Sequence, residues 1–152
     1  MGVSVTYPRE FSANDSYMYE KFAKKPIHGV KITIPMTMAT GTNLSADSGL
    51  SIEQLPRAKT CSGDIYLLAN VKAQQMTEGS VSYSVATSSE GAAGNLYEEM
   101  VYAIASSSPC TAVRYFIHST NLGNYPPGSV SAFDRAALLR AFDEIRRSLV
   151  LQ

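Results

Sequence analysis

Apolar and polar side chains alternate with a period of two along much of this chain, and that alternation sets its expected architecture. In 28–35, Val30, Ile32 and Ile34 take one face and Lys31 and Thr33 the other. In 50–55, Leu50 and Ile52 share a face, and Pro56 ends the run. Residues 72–76 and 81–88 flank Thr77-Glu78-Gly79-Ser80, a glycine-containing hairpin turn, with Val81, Tyr83 and Val85 alternating with Ser82, Ser84 and Ala86. Stretch 96–105 sets Met100, Tyr102 and Ile104 opposite Tyr97, Glu99, Val101 and Ala103. Stretch 110–119 sets Val113, Tyr115 and Ile117 opposite Ala112, Arg114, Phe116 and His118. Turn-rich segments at 89–94 and 106–109 join these runs, which predicts an antiparallel meander.

The period then changes. Leu138, Phe142, Ile145 and Leu149 fall at i, i+4, i+7 and i+11, one stripe of a helix. Ser131 reads as its N-cap, with Asp134 at the third helical position. Asp143 and Arg147 form an i,i+4 pair, and Arg146 and Arg147 suit the negative end of the helix dipole. A helix from about Ser131 to the chain end, amphipathic and following a meander, must bury its stripe on the sheet. The expected fold class is therefore α+β: one domain over 1–152, an antiparallel meander covered by a C-terminal helix. Weaker signals predict a short strand at 3–7 and a helical turn at 16–23, broken by Lys24-Lys25-Pro26. Loops are expected at 36–48 and 121–128, and 58–70 fits either a buried strand or a helical turn.

Composition narrows the function classes. Apolar residues make up 45% and charged residues 17%, enough to bury a core. Lysine plus arginine equals aspartate plus glutamate, 13 against 13, so no broad basic footprint exists for nucleic acid or for an anionic membrane surface. No apolar run approaches the ~20 residues that span a bilayer, so no transmembrane segment is expected. Met1-Gly2-Val3 runs directly into strand-like sequence without a signal peptide, which fits either a cytosolic protein or a processed export product. Cys61 and Cys110 are the only cysteines. With a chain rich in Ser, Thr, Tyr, Gly and Asn, they point to a disulfide formed in an oxidising compartment. The alternative is two buried thiols. Zinc held with His28 and His118 fits no compact ligand spacing.

Candidate chemistry is sparse. GxSxG, a Walker A loop, GxGxxG and HExxH are all missing, so no cofactor is expected. Glu98 and Glu99 are strand neighbours that point to opposite faces, which disqualifies them as a carboxylate dyad. Arg114 and His118 share a face with Phe116 between them, a row suited to an anionic or polar group. The competing reading pairs Arg114 across strands with Glu99 or Glu98 and leaves His118 in a hydrogen bond at the strand end. Nine tyrosines, Tyr102 among them, offer either a recognition surface or half-buried sheet positions. Asn43, Ser45 and Asp47 alternate in the long loop after Pro35, but EF-hand spacing is missing and no metal is expected. The candidate binding residues are Arg114, His118, Asn43 and Tyr102.

Longer segments carry a resemblance. They are Lys31-Ile-Thr-Ile-Pro-Met-Thr-Met-Ala-Thr-Gly-Thr-Asn-Leu-Ser-Ala-Asp, Leu50-Ser-Ile-Glu-Gln-Leu-Pro, Val101-Tyr-Ala-Ile, Pro109-Cys-Thr-Ala-Val-Arg-Tyr-Phe-Ile-His-Ser and the ending from Phe133-Asp-Arg-Ala-Ala-Leu-Leu through Ile145-Arg-Arg-Ser-Leu-Val-Leu. Together they resemble a family of small uncharacterised exported bacterial proteins of hypothetical-lipoprotein type. That resemblance implies a periplasmic or outer-membrane-anchored location after removal of a signal peptide, and it brings no catalytic residues. Thr42-Asn-Leu with Leu50-Ser-Ile-Glu-Gln-Leu-Pro, a meander and a closing helix are also similar to PsbP/Mog1-like α+β proteins. The expected function is a non-catalytic envelope binding or assembly protein with a protein or small-molecule partner. The alternatives are an enzyme with a site near Arg114 and His118, or an inhibitor of a hydrolase.

Overall fold

The computed structural model describes residues 2–22 and 24–152; Met1, and Ala23 at the end of the expected 16–23 turn, lie outside the described residues. The chain is mostly antiparallel sheet with few helices, a sheet-rich α+β arrangement. The strands are β1 (Val3–Ser4), β2 (Ser12–Tyr19), β3 (Ile27–Thr33), β4 (Gly49–Leu55), β5 (Gln74–Glu78), β6 (Val81–Ala92), β7 (Asn95–Ile104), β8 (Cys110–Thr120) and β9 (Val150–Leu151). The helices are α1 (Met36–Ala39) and α2 (Arg135–Arg147). Seven strands form one sheet in the order β2-β3-β4-β8-β7-β6-β5, and β1 and β9 form a separate pair. The sheet is thus two antiparallel runs, β2-β3-β4 and β5-β6-β7-β8, joined where β4 pairs with β8.

The alternation in the sequence sorts the side chains onto two faces. On one face Ile32, Leu50, Ile52, Tyr102, Val113, Tyr115 and Ile117 are buried in the cluster that also takes Leu138, Phe142 and Ile145 from α2. The Phe142 ring lies 5.2 Å from that of Tyr115, whose hydroxyl donates to Asp143 at 2.8 Å. On the other face Val101, Ala103, Ala112 and Cys110 pack with Tyr19, Ile27, Tyr66 and Leu67. Tyr66 belongs to a 3-10 turn, Gly63–Tyr66, within the ambiguous 58–70 segment. That turn lies directly on β6 and β7, because a Cβ at Gly63 would come within 2.7 Å of the Ala86 nitrogen. Cys61 and Cys110 form a disulfide that pins this connection to the start of β8.

Several expectations need correction. Residues 16–19 are the end of a strand and not a helical turn. β2 is an edge strand with a register shift between Asn14 and Tyr17, so its alternation is broken and its polar half faces water. The 36–48 loop contains the short helix α1. β6 runs on to Ala92, and Ala93-Gly94, both with positive φ, form the tight turn into β7. Asp134, not Ser131, caps α2: its carboxylate accepts from the Ala137 amide at 2.9 Å. Ser131 instead bridges to Thr42. Helix α2 stops at Arg147, and Val150–Leu151 returns as β9 to pair with β1. The expected Asp143–Arg147 pair is replaced: Arg147 bonds Glu78 at 2.7 Å, and Asp143 bonds Arg146 at 3.1 Å.

Candidate functional site

The face that receives the Gly63–Tyr66 turn is only partly covered by it. Towards β2 and β3 the row Arg114–Phe116–His118 rises from a buried Arg114 to a half-buried Phe116 and His118. At the floor of this region lies a buried charge cluster. Arg114 is 1% exposed and Glu53 is 0% exposed. Arg114 Nε donates to Glu53 Oε1 at 3.0 Å and Nη2 to Glu53 Oε2 at 2.9 Å, a two-pronged pairing. Nη2 also donates to the Tyr66 carbonyl at 2.6 Å, and Nη1 to Glu99. The guanidinium carbon sits 3.8 Å from the centre of the Tyr19 ring. Ser51 Oγ donates to Glu53 at 2.8 Å and Lys21 Nζ to Glu99 at 3.1 Å, so two cations meet two carboxylates.

These neighbours shape the ionisation of the floor. Burial alone would lower the pKa of Arg114, but the Glu53 charge and its hydrogen bonds outweigh burial and raise it, so the group stays cationic. Tyr17 is pushed up to about 12, by burial first and then by the Glu53 charge. Burial likewise raises Tyr19 and Tyr66. The cross-strand pairing of Arg114 with Glu99, one of the two readings open from sequence, is what the fold makes, while Glu98 points the other way to Arg135 at 2.9 Å.

His118 is four residues along the same strand and lies near the surface. Its Nδ1 is 2.9 Å from Asp47 Oδ1, and its Nε2 is 2.9 Å from Asn95 Oδ1. Asn95 Nδ2 donates to the carbonyls of Ala92 and Ala93, each at 3.3 Å, which holds the amide oxygen towards the ring. Both ring nitrogens therefore face acceptors. The ring stacks on Tyr97 at 4.4 Å between centroids.

Between β2 and this row opens a cleft of about 270 Å³, lined among others by Tyr17, Lys31, Asp47, Ser51, Arg114 and Phe116. Lys31 Nζ lies 5.9 Å from the Tyr17 ring centre and 5.7 Å from that of Phe116, and it donates to the Asp47 carbonyl at 3.0 Å. Tyr19, Glu20 and Lys21 line it too, so the cleft presents three aromatic rings, two ammonium groups and two carboxylates to whatever enters.

The four residues singled out from sequence are not brought together. Arg114 and His118 share the open face. Asn43 ties the long loop to the sheet: its Nδ2 donates to the Thr120 carbonyl at 2.8 Å, and its Oδ1 accepts from the Phe133 amide at 3.0 Å. Tyr102 lies on the opposite face, between the rings of Tyr83 and Tyr115 and 4.4 Å from the Arg146 guanidinium carbon. Lys31 and Glu53 are not among the candidates the sequence offers, whereas Tyr17 counts there only as one of the tyrosines and Asp47 only as one of the alternating loop residues. Lys31 alternating against the apolar Ile32 and Glu53 against Ile52 carried a signal, because both stand on the face of Arg114 once register is known. Among the described residues no group of three or more His, Cys, Asp or Glu side chains is placed to hold a metal ion.

No protein-family model matches the chain, and no curated protein matches it. The crystal structure, at 1.50 Å resolution, of a protein from Bacteroides thetaiotaomicron VPI-5482 is similar, with 12% sequence identity and a TM-score of 0.53. The similarity covers 99% of this chain and 45% of that one, so the chain spans less than half the length of the protein it matches. At that identity the likeness bears on the fold alone, which this chain shares with a bacterial protein.

Proposed function

We propose that this chain is a non-catalytic binding domain of the bacterial cell envelope and that it holds a small polar ligand in the cleft over Arg114. One observation carries this reading. The two residues of this face that sequence marks for chemistry, Arg114 and His118, are spent on fixed partners, while the cleft beside them stays open. Every guanidinium nitrogen of Arg114 is bonded to Glu53, Glu99 or the Tyr66 carbonyl. Both nitrogens of His118 are bonded as well. A general base needs a lone pair facing the substrate, and neither residue offers one into the cleft. Fixed aromatic rings and a few polar groups around a cavity are what a binding site requires.

The envelope location rests on the Cys61–Cys110 disulfide, which suits an oxidising compartment, and on the resemblance to exported bacterial proteins. The PsbP/Mog1-like assignment rests on the sequence resemblance. In that reading α2 serves as the cover of one sheet face and leaves the Arg114 face for the ligand. The test is a thermal-shift screen of saccharides, amino acids and short peptides, run in parallel with turnover assays on the same compounds. A binding domain gives a compound that raises the melting temperature of the wild type, and Lys31→Ala removes that shift. An enzyme would instead turn a compound over, and His118→Ala would abolish the turnover with an unchanged melting temperature.

A further inference from the structure

A second cleft lies on the same face as Arg114, towards the end of β4 and the start of β8, and shares no lining residue with the first. It is open to solvent, has a volume of about 630 Å³, within the range of small-molecule sites, and is built from 25–26, 55–60 and Ile65. Its walls are Pro26, Leu55, Ala58 and Ile65, and its rim carries Lys25, Arg57 and Lys59. Among the described residues none of these three cations forms an ion pair or a side-chain hydrogen bond. Lys21, Arg114, Arg135, Arg146 and Arg147 are each paired with a carboxylate, whereas Arg9, Lys24, Lys72 and Arg140 form no such contact among the described residues either, so what sets Lys25, Arg57 and Lys59 apart is that they line one cavity. The acids nearest to these cations in sequence, Glu20, Glu53 and Asp64, are outside the lining. In a chain of 13 cations and 13 anions, three unpaired cations around one apolar cavity form a local excess of positive charge. The walls are held in place. The Ala58 amide donates to the Leu55 carbonyl at 3.3 Å, the Lys25 amide to the Phe22 carbonyl at 2.8 Å, and the disulfide anchors the chain at Cys61.

We infer that this cleft is a binding site for a small anionic amphiphile, with the alkyl or aryl body against Leu55, Ala58 and Ile65 and the carboxylate at Arg57, Lys59 and Lys25. Apolar burial supplies the attraction, and the cations fix the orientation and select for the anion. The site is independent of the cleft over Arg114.

The test uses NMR titration of the full chain with decanoate below its micelle concentration, with decanol, inorganic phosphate and phosphatidylglycerol vesicles as separate arms. The expected result is saturable decanoate binding that perturbs the amides of Lys25, Ala58 and Ile65. Affinity for decanoate should exceed that for decanol by about tenfold or more, and it should fall as salt is raised. Arg57→Gln/Lys59→Gln, both exposed positions, should weaken decanoate by about tenfold with an unchanged melting temperature. Equal affinity for decanol and decanoate would overturn the inference, as would perturbations confined to other residues. So would phosphate binding as tightly as decanoate, or vesicles binding while monomeric decanoate does not.

Discussion

Arg114 shows how one residue can organise a face of the molecule without being available to a ligand. Its charge is buried beside Glu53, and the pair is held by two guanidinium hydrogen bonds. Removing one partner leaves the other charge buried and unpaired, which costs about 3–5 kcal/mol. Arg114→Met should therefore lower unfolding stability by that amount in urea denaturation, and adding Glu53→Gln should recover part of it. A loss of ~1 kcal/mol or less, as for an exposed pair, would show that the cluster is solvated. The tyrosines report on burial on both faces: Tyr17, Tyr19 and Tyr66 beside Arg114, and Tyr102 and Tyr115 under α2. Tyr17 is held up to about 12, and Tyr19, Tyr66, Tyr102 and Tyr115 are raised too. A raised folded value means that the stabilisation is whole below the unfolded pKa of ~10 and is lost as pH climbs through the folded value. Stability should decline from about pH 10 upward, and tyrosinate absorbance at pH 11 should fall well short of nine residues until the chain unfolds. The Arg114–Phe116–His118 row was legible from alternation alone. Of its partners Glu99 was legible too, but Glu53 was not, because it joins Arg114 only through the β4–β8 register, 61 residues apart in sequence.

At the scale of elements, alternation placed β3, β4, β6, β7 and β8 well and missed β2. The long central strands are buried on both faces, and their apolar positions repeat every second residue. β2 is an edge with a register shift after Asn14, so period two survives only at Tyr17 and Tyr19. The stripe of α2 was equally legible, and its start was not. Ser131 and Asp134 are both good caps by type, and the choice fell to the Ser131–Thr42 bridge, a contact remote in sequence. Asp134→Ala should cost about 1 kcal/mol in thermal or urea unfolding through loss of the cap. Ser131→Ala removes no cap and should cost less. The disulfide staples the 56–73 connection across a separation of 49 residues. Reduction, or Cys61→Ala with Cys110→Ala, should cost roughly 4 kcal/mol by loop-closure entropy, read as a fall in the urea midpoint. An unchanged midpoint would mean that the connection holds its place by Tyr66 and Leu67 packing alone.

For the whole molecule, the sheet-rich α+β class and the succession of strands from β3 to β8 followed from local pattern, whereas β2 and the open faces did not. Two antiparallel runs joined at β4 and β8 put Lys31, Asp47 and Arg114 around one cleft, and topology at that range leaves no trace in periodicity. The measurement that tests the central claim most directly is the parallel binding and turnover screen on wild type, Lys31→Ala and His118→Ala. The expected result is a compound that raises the wild-type melting temperature without being consumed, with the shift lost in Lys31→Ala. Turnover that disappears in folded His118→Ala, or no compound that stabilises the wild type at millimolar concentration, would contradict it.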